Sequence, residues 1–243
     1  MNWDFAINEF RNFLRIEKSL SDNSIDAYIN DITKLKEFAN QNSPVVSPDH
    51  ISLNHLQEFI ASLHDRNLSA RSQSRVISGI KAFYKYLLLE DLIDKDPTIF
   101  IDSPRTGRKL PVVLTTEEID SLISSIDLSG KNGQRNKAII ETLYSCGLRV
   151  SELVNLKISN LYFDQGFIKV TGKGNKERLV PISPKAVKEI KLYLKYDRNK
   201  LNIEKSSENI VFLNQHGKKL TRNMIFTIIK ELTQKASLHK KIS

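Results

Sequence analysis

The sequence predicts a mainly α-helical protein of two domains, the second of which carries a small antiparallel β-hairpin. Apolar residues return at helical spacing through most of the chain. The charge also changes along it: residues 1–107 carry 12 Lys and Arg against 15 Asp and Glu, while residues 108–243 carry 25 against 13. Pro, Gly and basic residues separate the two parts. We therefore predict an N-terminal domain at 1–100, a linker at 101–111 and a second domain at 112–243.

The first domain reads as four helices. Apolar stripes of each helix are separated by polar or Ser-Pro segments, a pattern typical of a compact helical bundle. The predicted stripes are Trp3, Phe5, Ile7, Phe10, Phe13, Leu14 and Ile16; Ile25, Tyr28, Ile32, Leu35 and Phe38; Leu56, Phe59, Ile60 and Leu63; and Val76, Ile77, Ile80, Phe83, Tyr84 and Leu87.

The second domain begins with a helix for which Thr115 or Thr116 is the N-cap. A helix over 138–146 follows, and Gly147 suits the left-handed conformation that ends a helix. Two short strands, 166–170 and 178–182, flank a glycine-rich turn and predict a hairpin. Helices over 184–197 and 221–236 complete the domain, with a short buried run at 210–213 between them.

Composition narrows the classes of protein. With 243 residues and 40% hydrophobic side chains, the chain can bury two cores. It has no apolar run long enough to cross a bilayer, and its N-terminus resembles neither a signal nor a transit peptide. The single cysteine, Cys146, indicates a small core side chain and a reducing cytoplasm. The basic second domain indicates a polyanionic partner such as nucleic acid.

Arg149 is predicted to lie in a turn at the N-terminus of a short helix. The helix macrodipole is positive there, so a cation is unfavourable unless an anion is bound. Guanidinium and free helix N–H groups can converge on one phosphate. The sequence therefore suggests an anion site at Arg149.

The hairpin turn brings three cations together, Lys173, Lys176 and Arg178, with Glu177 between them. Like charges this close repel each other unless they meet a polyanion. A solvated basic tip is the alternative interpretation.

Further cations suggest contacts with DNA. In the first domain, Arg71 and Arg75 fall at i and i+4 near the start of the fourth helix, and Lys81 follows. Arg108 lies in the linker, and Arg222 begins the last helix. A solvated helix surface remains the alternative for the first three.

The motifs together resemble a known family. GLRVSEL, followed by a hairpin reading V-x-GKGNKER-x-VPI, is similar to the catalytic core of the tyrosine recombinases, the phage integrase family, and most similar to its Xer-type members. LSDNSIDAYINDITKLKEF and SARSQSRVISGIKAFYKYLLLEDLIDKDP look like the family's N-terminal core-binding (SAM-like) domain. The resemblance covers nearly the whole chain and implies an integrase catalytic domain for the second domain.

The resemblance implies site-specific DNA recombination. In the family a tyrosine attacks a DNA phosphodiester and forms a 3′-phosphotyrosyl bond, without metal or cofactor. By motif match, Arg149 stabilises charge on the phosphate, Lys173 protonates the leaving oxygen and Glu152 supports the site. Double-stranded DNA and other recombinase subunits, in a tetramer, are the implied partners, and a cytoplasmic, nucleoid-associated location follows. Chromosome partition, integration and inversion all stay open.

The family's His-x-x-Arg helix and nucleophilic tyrosine have no match among these residues. Tyr144 is predicted to lie in the buried stripe beside Cys146, and none of the other tyrosines follows a His-x-x-Arg helix. We therefore expect a C-terminally truncated recombinase that binds duplex DNA without cutting it. A non-catalytic DNA-binding or regulatory protein on the same fold is the alternative. A metal-dependent nuclease is disfavoured, because the sequence shows no carboxylate cluster among Asp102, Asp120, Asp127, Glu152 and Asp164.

Overall fold

The computed structural model describes residues 1–41, 44–104, 107, 110, 112–238 and 240, with the side chain of Lys173 excepted. The fold is mainly helical, as the sequence predicts. It divides into two units, residues 1–109 and 110–243, each described by itself. The predicted domain bounds and the linker stay a prediction, and Arg108 lies outside the described residues.

The first unit is a bundle of four helices, as predicted. They are α1 (Trp3–Ile16), α2 (Asp22–Ala39), α3 (Leu53–Asp65) and α4 (Ala70–Leu89). Aromatic rings fill its centre, where Phe10 contacts Phe83 edge to face with 5.3 Å between ring centroids. Helices α2 and α4 approach each other at Gly79, where a Cβ atom would lie 3.0 Å from the side chain of Asp31. The small residue therefore lets the two helices approach.

Two side chains predicted to line the first buried stripe face outward. Phe5 is 58% exposed and Ile16 is 75% exposed, so the prediction is wrong for both. At about 100° per residue, both project from the side of α1 opposite to Phe10, which is fully buried. Both residues are hydrophobic, but their angular positions on α1 place them on its solvent-facing side.

The second unit packs helices around a three-stranded antiparallel sheet of order β1-β2-β3. The elements are α5 (Thr116–Ser124), α6 (Gly133–Cys146), α7 (Val150–Val154), β1 (Leu161–Tyr162), β2 (Phe167–Thr171), β3 (Glu177–Pro181), α8 (Pro184–Tyr196) and α9 (Arg222–Lys235). Thr115 is the N-cap of α5 and forms a capping box with Glu118. The hairpin pairs Lys169 with Leu179 and Val170 with Arg178. Strand β1 is not predicted from the sequence, because two residues are too few to show the alternation of apolar and polar side chains that marks a strand.

The core of the second unit lies between α6, α8, α9 and the sheet, and includes Ile139, Leu153, Ile168, Ile190 and Phe212. Helix α6 begins five residues before the predicted start. The predicted burial of Tyr144 is wrong, since this side chain is 51% exposed. It lies about 160° around α6 from Cys146.

The buried run 210–213 is held by isolated bridges and by Arg198. Ile210 pairs with Lys157, and Leu213 pairs with Lys219. The buried guanidinium of Arg198 donates to the carbonyl oxygens of Glu208, at 2.6 Å, and Ile210, at 2.9 Å. Since buried carbonyl groups need donors, this arginine is structural.

Among the described residues, no helix combines the length and the apolar character needed to span a bilayer.

Candidate nucleic-acid interface

Arg149 occupies the turn between α6 and α7. Gly147 adopts the left-handed conformation, with φ of 57°, and its N–H donates to the carbonyl of Leu143, so α6 ends there as predicted. Arg149 is the N-cap residue of α7 and has extended backbone angles. Its side chain is 71% exposed. The turn therefore presents a guanidinium group to solvent at a helix N-terminus.

Glu152 holds this turn together. Its Oε2 accepts from the backbone N–H of Arg149 at 2.8 Å, and its Oε1 accepts from Arg149 Nη1 at 3.1 Å. From the sequence alone, Arg149 is a cation in the unfavourable field of a helix N-terminus. The structure supplies an internal counter-charge one helical turn away, so a bound anion is not needed to explain the arginine.

Arg178 of β3 approaches the same carboxylate from the other side. Its Nη1 donates to Glu152 Oε1 at 2.6 Å, and its Nη2 donates to Oε2 at 3.1 Å, a bidentate pair. Only 2% of the Glu152 side chain is exposed. The hydrogen bonds from Arg178, followed by those from Arg149, overcome the effect of burial and lower the pKa of Glu152 to about 2. The same pairing raises the pKa of Arg178.

The pair joins the hairpin to α7. Gly172, at the end of β2, faces the carboxylate, since a Cβ atom there would lie 3.4 Å from Glu152 Oε1. Gly172 also donates to the carbonyl of Lys176 at 2.7 Å, closing the turn. Gly174 and Asn175 have positive φ angles within it. The backbone of Lys173 therefore directly follows a glycine that lies beside the Glu152 carboxylate, while the side chain of Lys173 lies outside the described residues.

The other cations of the hairpin differ in their partners. Lys176 is exposed at the turn. Glu177, which the sequence interpretation placed among the three cations as their counter-charge, pairs instead with Lys169 across the two strands, at 3.2 Å. Arg178 was predicted to contact DNA; that contact stays a prediction, and the structure shows the residue paired with Glu152.

A further basic group lies at the start of α9. Arg222 is the first residue of this helix and is exposed, after the N-cap Thr221. Lys219 just before it donates to Asn155 Oδ1, at the C-terminus of α7, at 3.0 Å. Lys219 is not predicted from the sequence, because no local feature identifies a lysine whose partner is 64 residues away.

The predicted cations of the first unit also divide by environment. Arg71 is exposed near the start of α4. Arg75 donates to Oδ2 of buried Asp31 at 2.6 Å, while half of its side chain stays exposed. Lys81 is half-buried beside Leu56 and Phe59. At 100° per residue, Arg71 and Arg75 lie about 40° apart and share a face of α4, whereas Lys81 lies about 120° around the helix from Arg75. A common ligand on that face therefore reaches the two arginines.

Two family models match the chain. The phage integrase family matches residues 112–243, and the phage integrase N-terminal SAM-like domain matches residues 7–91. The first match alone covers more than half of the sequence.

Curated relatives match over nearly the whole chain. The tyrosine recombinase XerD of Oceanobacillus iheyensis is 38% identical over 99% of this chain and 80% of its own length. XerD of Staphylococcus haemolyticus is 38% identical over 98% of this chain and, again, 80% of its own length.

Solved structures share the fold. The XerH recombinase bound to its difH substrate, in a pre-cleavage complex, superimposes with a TM-score of 0.70 at 22% identity, over 97% of this chain and 68% of that one. A lambda integrase (75-356) dimer bound to a COC' core site superimposes with a TM-score of 0.75 at 12% identity, over 99% of this chain and 84% of that one. At these identities the likeness concerns the fold alone. From the family models and the 38% identical relatives, the chain belongs to the phage integrase family and is a Xer-like tyrosine recombinase.

Proposed function

We propose that this chain binds duplex DNA in site-specific recombination and that Arg149, with Lys173, holds the phosphate at which strands are exchanged. The observation that carries the proposal is the shared carboxylate of Glu152. It neutralises one of two guanidinium groups, so the cluster of Arg149, Arg178 and Glu152 keeps one net positive charge. An incoming phosphate supplies the remaining counter-charge.

The geometry of Arg149 supports a phosphate ligand. Only Nη1 of its guanidinium has a protein partner among the described residues, so its other N–H groups are free to donate. A guanidinium fixed at its backbone and at one nitrogen presents the rest in a set direction, which suits bidentate contact with phosphate. Preorganised donors of this kind usually supply the largest share of rate in phosphoryl transfer.

The role of Lys173 rests on the motif and on the position of its backbone beside Gly172. In the family's reaction a tyrosine attacks the phosphodiester and forms the 3′-phosphotyrosyl bond as the bond to the 5′-oxygen breaks, and this lysine protonates the departing 5′-oxygen. Because Glu152 ties the hairpin to α7, the base of the turn that carries Lys173 is held next to the turn that carries Arg149.

We further propose that residues 1–243 do not cut DNA unaided. Tyr84 and Tyr193 are buried, and each makes a hydrogen bond to backbone, to Pro48 and Leu213 respectively. Tyr86 is also buried, in the aromatic core of the first unit. The other four tyrosines are more accessible, but none follows a His-x-x-Arg helix; they are Tyr28, Tyr144, Tyr162 and Tyr196.

Duplex DNA and other recombinase subunits are the proposed partners, and a non-catalytic DNA-binding regulator on this fold is the competing function.

Substituting Lys176 by alanine tests the DNA interface. We expect weaker binding to duplexes of any sequence and a slope of log affinity against log salt that is flatter by about one unit, since one phosphate contact is lost. Fluorescence anisotropy of a labelled duplex, titrated at several salt concentrations, measures both. Lys205→Ala, another exposed lysine of the second unit, is the matched control. Equal slopes for wild type and Lys176→Ala would contradict a phosphate contact by the hairpin.

A further inference from the structure

A groove on the second unit lies outside the surfaces described above. It runs between α8 and the turn that precedes β2 and has a volume of about 520 Å³. Its floor is apolar and is formed by Phe163, Ile182, Val187, Leu192 and Tyr196. Phe163, Val187 and Leu192 are only partly buried, and Tyr196 is 49% exposed. An accessible apolar floor of this kind suits a ligand with apolar groups of its own.

Three lysines form the rim of this groove. Lys188, Lys191 and Lys195 recur at intervals of three and four residues, so they lie on one face of α8 and span about 10 Å. Lys191 Nζ lies 5.7 Å from the ring centroid of Phe163, and Lys195 Nζ lies 5.0 Å from that of Tyr196. The rim is therefore held beside the aromatic floor.

These lysines differ from the other lysines around α6 and α8. Lys185 pairs with Glu141 at 2.9 Å, and Lys137 pairs with Glu189 at 3.2 Å. In the part of the chain that the structure describes, no carboxylate forms an ion pair with the three rim lysines. Like charges at these spacings destabilise a helix. An acidic partner would relieve the repulsion.

We propose that this groove binds an acidic, amphipathic segment of a partner protein. Carboxylates one helical turn apart on such a segment match the spacing of the rim, and apolar side chains between them fill the floor. A DNA duplex is the poorer fit, because its phosphate backbone offers no apolar group to cover Phe163 and Leu192. The inference is independent of the proposed function, since it uses none of the residues placed at the phosphate.

Peptide selection tests this proposal on the complete chain. A phage library of random short peptides is selected against the wild-type protein and against the variant Lys188→Gln, Lys191→Gln, Lys195→Gln. We expect peptides rich in Asp and Glu interspersed with apolar residues, recovered only on the wild type. A synthetic copy of one selected peptide should bind at least about tenfold more weakly to the variant in fluorescence anisotropy.

The controls separate the possible occupants. The charge-matched variant Lys131→Gln, Lys205→Gln, Lys230→Gln should bind the peptide as wild type does, and thermal unfolding should show that both variants are folded. Saturating duplex DNA or a single-stranded oligonucleotide should leave the peptide bound. The proposal is overturned if acidic peptides are not enriched, if both variants lose binding equally, if either nucleic acid displaces the peptide, or if sedimentation shows that the rim lysines instead hold a second copy of the chain.

Discussion

Replacing Glu152 by alanine is expected to destabilise the second unit by about 2–3 kcal/mol, among the larger effects of a single substitution. The carboxylate accepts hydrogen bonds from the backbone of Arg149 and from two guanidinium groups. Loss of a buried partner usually costs more, but water can reach both arginines, whose side chains are 71% and 41% exposed. Denaturant unfolding measures the free energy, and hydrogen exchange of the amides of β2 and β3 reports the hairpin separately.

Glu177→Ala is the matched control for this prediction. Glu177 lies in the same hairpin and pairs with Lys169, but its side chain is 53% exposed. An exposed pair contributes about 0–1 kcal/mol, so exchange in the hairpin should change little. If Glu152→Ala and Glu177→Ala destabilise the protein equally, the carboxylate does not hold α7 and the hairpin together.

The same pair makes stability depend on pH. Folding lowers the pKa of Glu152 from its ordinary value of 4.5 to about 2, so the unfolded chain binds the proton more tightly. The stabilisation is therefore present above about pH 4.5 and is lost as the pH falls toward 2. A shift of this size corresponds to at most about 3 kcal/mol, and solvent screening at the arginines reduces it to about 2 kcal/mol. Glu152→Gln should remove this part of the acid dependence; an unchanged profile would contradict the assignment.

Duplex affinity is expected to fall about a thousandfold between 50 and 200 mM salt, if about six phosphates are contacted. The cations available for such contacts lie on α4, at the Arg149 turn, in the hairpin and at the start of α9. Anisotropy titrations with a duplex of arbitrary sequence give the slope. A fall of less than about tenfold over this range would contradict a DNA interface of this extent.

The groove lysines provide the control for that slope. Lys188, Lys191 and Lys195 contribute as much formal charge as three residues of the interface, but they surround an apolar floor. Their glutamine variant should keep nearly the wild-type slope. A slope flattened by about three units would mean that phosphate contacts extend over α8 as well.

Local signals in the sequence were enough to predict most elements. Gly147 ends α6 because a glycine pays no penalty at positive φ, and Thr115 caps α5 through a partner only three residues away. Helical periodicity located the helices of the first unit. It did not determine the phase of Phe5, Ile16 or Tyr144, since a hydrophobic side chain can lie on either side of a helix.

Pairs distant in sequence could not be predicted in this way. Arg178 and Glu152 are 26 residues apart, and Arg75 and Asp31 are 44 residues apart. From the local sequence, Arg178 and Arg75 are each expected to be unpaired cations. In the structure, each forms an ion pair with a buried carboxylate. These pairs decide which positive charges remain for the proposed phosphate contacts.

The most direct test of the account is to ask whether this chain holds DNA without joining to it. The protein first selects a duplex from a random pool, and a nick is placed in this duplex so that any cleavage product is trapped. The nicked duplex is then incubated with the wild-type protein and with Arg149→Ala. The account predicts a complex on a native gel that is weakened in the variant, and no protein–DNA species after denaturation. An adduct that survives denaturant would contradict the proposal that these residues do not cut DNA unaided, and equal binding by wild type and Arg149→Ala would contradict the phosphate site.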